Sequence, residues 1–121
     1  MAVKLLIDGI QGKRGVFEEQ FSEEFRNMAI ENARSIYVYE NSWSVFKRGQ
    51  MKQIKVPTLI IKGQNTNKVQ SNIADLLHNL LHGSEEDTIP KSAHFPQLEN
   101  SEDLNAKLME FLERQKSAKM R

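Results

Sequence analysis

The 121 residues contain no cysteine, which removes disulfide staples, thiol nucleophiles and thiolate metal sites together. Long apolar runs are missing as well. The N-terminal MAVKLLIDGI carries one lysine and a short apolar stretch ended by Asp8, far below a secretory core region or a membrane span. A soluble, unexported, cytoplasmic chain with no membrane partner is expected. No block of one charge stands out: 17 Lys and Arg are interspersed with 16 Asp and Glu, for a net charge of +1. Such a surface does not neutralise phosphates, so nucleic acid is not an expected partner. Internal repeats are absent, and the polar stretch RQKSAKMR at 114–121 is expected to be a flexible tail. What is present, 39% hydrophobic and 27% charged residues, suits one globular unit with a core of its own.

Punctuation divides the body. Residues 2–10 place Val3, Leu5, Leu6, Ile7 and Ile10 in a pattern that fits a short helix or a strand, the helix being preferred, and Gly9, Gly12 and Gly15 then predict a loop. Ser22 can cap a helix whose inward stripe is Phe25, Met28, Ala29, Ala33 and Ile36, with Glu23 and Glu24 well placed in its first turn. Asn41 or Ser42 predicts a further short helix through Trp43, Val45 and Phe46, ended at Gly49.

After Met51 the pattern changes. VPTLIIKG at 56–63 is an apolar run entered through proline and closed by glycine, as a buried parallel strand would be. SNIADLLHNLLHG at 71–83 predicts a helix with Ile73, Leu76, Leu77, Leu80 and Leu81 inward and Gly83 as its C-terminal cap. SEEDTIP at 84–90 predicts a second, more polar strand. Asn100 or Ser101 then caps a helix with Leu104, Leu108, Phe111 and Leu112 inward. Residues 56–112 therefore predict strand, helix, strand, His94 loop and helix: a right-handed β-α-β unit with a helix behind it, in the α/β class.

The stretch KVPTLIIKGQNT, the helix after it, and EEDTIPKSAHFPQLENSEDLNAKLMEFL together resemble the C-terminal part of an α/β-hydrolase. In that superfamily a proline-led strand ending in glycine precedes a helix, a last strand, a loop of small residues with a histidine, and a closing helix. The resemblance is close over residues 50–113. LLIDGIQGKRGVFE and the helix ending IENARS resemble the helical cap that many members insert upstream. The resemblance implies a cap-like helical segment at 1–50, a C-terminal α/β-hydrolase segment at 51–113, and His94 as the catalytic base, with Glu99 and Asn100 at the start of the closing helix.

Two departures accompany it. No Gly-x-Ser-x-Gly elbow occurs in the chain, and Thr66, flanked by Asn65 and Asn67, stands where many members place the triad aspartate. A serine and an acid from elsewhere would have to complete the site, and the chain by itself is expected to be inactive towards an ester-type small molecule. The alternative is a non-catalytic, self-associating interaction module on the same scaffold. Two parallel strands leave open edges, so a homo-oligomer or a complementary hydrolase half is the expected partner.

Other candidates have plainer readings. His78 and His82 lie one helical turn apart, a spacing a zinc ion can use, yet the first lacks the adjacent glutamate of the metalloprotease motif and both are expected to face solvent, so neither a metal nor a cofactor is expected. Trp43 and Phe46, with Tyr37, Tyr39 and Phe95, could line an acyl pocket, although such aromatics more often fill seams between helices.

Overall fold

The structure, a computed structural model, describes residues 2–35 and 47–120. Tyr37, Tyr39, Trp43, Phe46 and the helix expected there lie outside the described residues, as does Ile36. The chain divides into two compact units, Met1–Phe46 and Lys47–Arg121.

In the first unit, α1 (Ala2–Gln11) buries Val3, Ile7, Asp8 and Gln11, the three-and-four spacing of one helical face. Gly9 lies inside this helix and not in a loop; the reversal begins at Gly12 (φ 72°) and ends at Gly15 (φ 87°). After it come α2 (Val16–Glu19) and α3 (Glu23–Glu31). Val16 and Phe17 are the deepest apolar side chains among the described residues of this unit.

The Asp8 carboxylate closes the turn. It accepts hydrogen bonds from the backbone N–H of Gly15 (2.8 Å) and of Phe17 (2.9 Å), satisfying donors that α2 leaves without carbonyl partners. These bonds, Phe17 first, hold its pKa below the ordinary carboxylate value. A depressed folded-state pKa stabilises above the unfolded value, and that contribution is lost as pH falls through the folded one. Asp8→Ala is therefore expected to lower the melting temperature of the first unit by several degrees at pH 7. Circular dichroism melts from pH 7 to pH 2 should show the gap from the parent chain closing at the acid end.

Ser22 caps α3 as expected, accepting from Phe25 N–H at 3.2 Å. The stripe does not find a core: Met28 is 50% exposed and no residue of α3 is buried. Phe25 instead stacks on Phe21, ring centroids 4.6 Å apart.

The second unit begins with α4 (Arg48–Met51), so Gly49 lies within a helical turn and does not end one. Two parallel strands follow, β1 (Leu59–Gly63) and β2 (Glu85–Ile89), joined through α5 (Lys68–Leu80). The register sets Leu59 beside Glu85 and Gly63 beside Ile89. After β2 come α6 (Pro96–Glu99) and α7 (Ser101–Lys119). The last helix runs to Lys119, through the segment 114–119 whose composition suggests a flexible tail. This unit is mixed α/β, and among the described residues the chain is mostly helical with this one small sheet. No helix among them is long and apolar enough to cross a membrane.

Alternation explains how so polar a strand as EEDTI sits in the sheet. On one face Lys62 donates to Asp75 of α5 (2.5 Å) and to Glu86. These two carboxylates, Asp75 first, raise the Lys62 pKa and keep it charged. On the other face α7 supplies Lys107 to Asp87 (3.0 Å) and Arg114 to Glu85 (2.5 Å). Each acid of β2 is thus matched by a cation, and the sheet carries a helix on either face. The α5 stripe is rotated from expectation: Ala74 is buried while Ile73 and Leu76 are 46% and 48% exposed, and Leu81, just past the helix, is buried as expected. Ala74 is small enough to let the helix approach β1, and the larger side chains are turned outward. On α7 the expected inward residues Leu108 and Leu112 are likewise exposed.

Candidate functional site

The loop after β2 is held to the end of β1 by backbone chemistry. Gln64 N–H donates to Ile89 C=O (2.9 Å) and Asn65 N–H to Ser92 C=O (2.8 Å). Lys91 N–H donates to the Gln64 side-chain oxygen at 3.2 Å, with Lys91 itself at φ 54°. Ser92, 1% exposed, turns its hydroxyl back to Ile89 C=O (3.1 Å). Gly63 makes this approach feasible. A Cβ there would stand 2.0 Å from Ala93 C=O oxygen and 2.6 Å from that of Ser92, distances that no side chain tolerates.

His94 is the next residue. Its neighbours on either side are fixed by one carboxylate: Glu99 Oε2 accepts from Ala93 N–H (2.9 Å) and from Phe95 N–H (3.1 Å). Asn100 anchors the far side, donating to Pro90 C=O (2.8 Å) while its oxygen caps α7 at Asp103 N–H. Sequence reasoning placed Glu99 and Asn100 only at the start of the closing helix; their hold on the histidine loop was missed. The signal available was a glutamate one turn after a Phe-Pro step, where its side chain can reach back to open N–H groups.

The imidazole is half-buried and meets Phe95 edge to face, centroids 4.9 Å apart. Burial pushes its pKa below the usual 6.5, while the Glu99 charge pulls the other way. Neutral at pH 7, it has a lone pair to accept a proton. Beside it opens a cleft of about 380 Å³ lined by His94, Thr66, Ile73, Leu77, Leu104 and consecutive β1 residues. Phe95 packs on the ring and is not part of that lining. Thr66 faces the same cleft, its N–H closing the turn on Gly63 C=O (3.2 Å), and Asn67 caps α5 by accepting from Gln70 N–H (3.0 Å). The position at which the resemblance would place a carboxylate is therefore part of a turn and helix start.

The other histidines are separated from this site in role. His78 does not face solvent as expected; it is half-buried, its Nδ1 2.9 Å from Ser84 Oγ, and it closes the turn between α5 and β2. His82 is exposed. Among the described residues, no group of three or more His, Asp or Glu side chains is arranged to hold a metal ion. No protein-family model matches the chain, and no curated protein matches it in sequence.

Proposed function

We propose that the second unit is the histidine-bearing part of a Ser-His-acid hydrolase site of esterase type. In this reading it forms the C-terminal β-α-β-α portion of an α/β-hydrolase fold, preceded in sequence by cap-like helices. The observation that carries this reading is the seating of His94 on a loop pinned across the carboxyl ends of two parallel strands, at the mouth of a cleft. Open parallel sheets bind their ligands outside that end. The role follows from the chemistry of the ring. His94 takes the proton of a serine hydroxyl and returns it to the leaving group, with the serine and the acid supplied from outside these residues. Glu99 does not act on substrate; it fixes the backbone on either side of the ring.

The test is complementation. The full chain, mixed with the serine-bearing, sheet-forming half of an α/β-hydrolase that lacks its own histidine segment, is expected to cleave a short-chain p-nitrophenyl ester. The chain by itself should give no turnover above a His94→Ala control. Ester cleavage by the lone chain that disappears in His94→Ala, or reconstituted activity indifferent to that substitution, would remove the reading.

A second reading has its own support. Exposed Val69, Ile73 and Leu76 on α5 and Leu108 and Leu112 on α7 suit a self-associating module that does no chemistry.

A further inference from the structure

Every strand edge has a direction, and the hydrogen bonds here reveal it. Glu85 N–H donates to Thr58 C=O and Gln64 N–H to Ile89 C=O, so the residues of this parity, with Ile60 and Lys62 between them, turn their backbone groups toward β2. Leu59 and Ile61 consequently turn theirs to the opposite side, where no strand pairs with β1 among the described residues. The cleft beside His94 marks the same edge, since its lining includes Ile60, Ile61 and Lys62 but no residue of β2. Ile73 of α5 stands on one wall and Leu104 of α7 on the other.

The two outer edges differ chemically. That of β2 is guarded: Asp87 Oδ1 already accepts the outward N–H of Thr88 (2.9 Å), and Glu85, Glu86 and Asp87 in succession would face like charges in a second β2. That of β1 is unguarded. Its side chains are apolar apart from Lys62, whose charge Asp75 and Glu86 already balance. A neutral, apolar edge whose outward donors and acceptors meet no strand among the described residues complements itself, and the net charge of +1 sets up little repulsion between copies.

We propose that β1 pairs with β1 of a second copy of this chain, antiparallel across a two-fold axis, joining two sheets into one of four strands. Geometry selects the register. Of the registers that set outward residues opposite one another, the one placing Leu59 opposite the second copy's Ile61 uses strand residues whose groups all remain available. A shift either way brings in Pro57, which has no N–H, or Gly63, whose C=O already accepts from Thr66 N–H. Ile60 then faces its own counterpart on the axis as a non-hydrogen-bonded pair, and Lys62 faces Thr58, so no like charges meet. The exposed flank of α5 at Ile73 meets its symmetry mate alongside.

This inference does not depend on the reading of His94, and its test has a different readout. Light scattering after size exclusion is expected to give a dimer. The absence of native cysteine makes Ile60→Cys a clean probe, since Cα atoms in such a pair lie about 4.5 Å apart, within disulfide reach. Ile60→Cys should form an interchain disulfide under mild oxidation, and Thr88→Cys on the guarded edge should not. Ile61→Pro removes an outward donor while sparing the bonds to β2, and Ile73→Lys charges the flank without touching the strand; each should give a folded monomer. A parent chain that stays monomeric across the micromolar range, or a dimer cross-linked through Thr88→Cys but not Ile60→Cys, would overturn the proposal.

Discussion

Gly63→Ala is expected to destabilise the second unit by about 3 kcal/mol or more, despite adding a single methyl group. The new Cβ would stand 2.0 Å from a backbone oxygen of Ala93, and backbone cannot swing aside as a long side chain can. Either β1 or the histidine loop must move. Moving the loop breaks the bond from Asn65 N–H to Ser92 C=O and strips burial from Ser92 and Ile89, the two most enclosed side chains among the described residues. Urea denaturation followed by circular dichroism measures the loss. The matched control is Gly83→Asn: with open space around its Cβ position and φ at 85°, asparagine tolerates that conformation and should cost far less.

The second large effect concerns chemistry. In the reconstituted enzyme, His94→Ala is expected to reduce kcat/KM by roughly 10⁴–10⁶-fold, as removal of the base from a Ser-His-acid triad does. The pH profile carries a sign that a merely structural histidine would not produce. Burial lowers the His94 pKa in this chain while a triad carboxylate raises it, and in either case kcat/KM should fall on the acid side, the base working only when neutral. Glu99→Gln removes the charge that opposes the effect of burial, so the limb should move toward acid. NMR titration of the imidazole in the chain alone checks the same ordering without any partner. An unmoved His94 titration in Glu99→Gln would show that the carboxylate does not act on the ring's charge.

Much of the second unit was legible because its signals are local. Pro57 and Gly63 bracket the strand, Asn100 is a cap whose oxygen sits where Asp103 N–H needs it, and an apolar run followed by an amphipathic helix predicts a parallel crossover. His94 stood out because it lies between the small residues Ser92 and Ala93 and a proline-broken loop, after a predicted strand. The helical stripes misled for one reason. Periodicity reports that a side chain is apolar, not which of two apolar flanks finds a partner, and α5 has more apolar surface than a two-stranded sheet can cover. Ala74, the residue that does pack, is too small to dominate a hydrophobic pattern.

By itself, the sequence determined the strand-helix-strand-loop-helix order of residues 56–112, the parallel pairing it implies, and the position of one histidine at a strand's carboxyl end, all consequences of short-range conformational preference. It did not determine the short helices at Val16–Glu19, Arg48–Met51 and Pro96–Glu99. Only the tertiary structure decided the rest: that Glu99 grips the backbone around that histidine, that Gly63 is required by an approaching carbonyl, and that among the described residues the outer edge of β2 is guarded by its own Asp87 while that of β1 is not. Those facts join residues that are far apart along the chain, or depend on the parity of a hydrogen-bond ladder. Neither is written in residue type or spacing, because a contact between distant segments exists only once burial has brought them together.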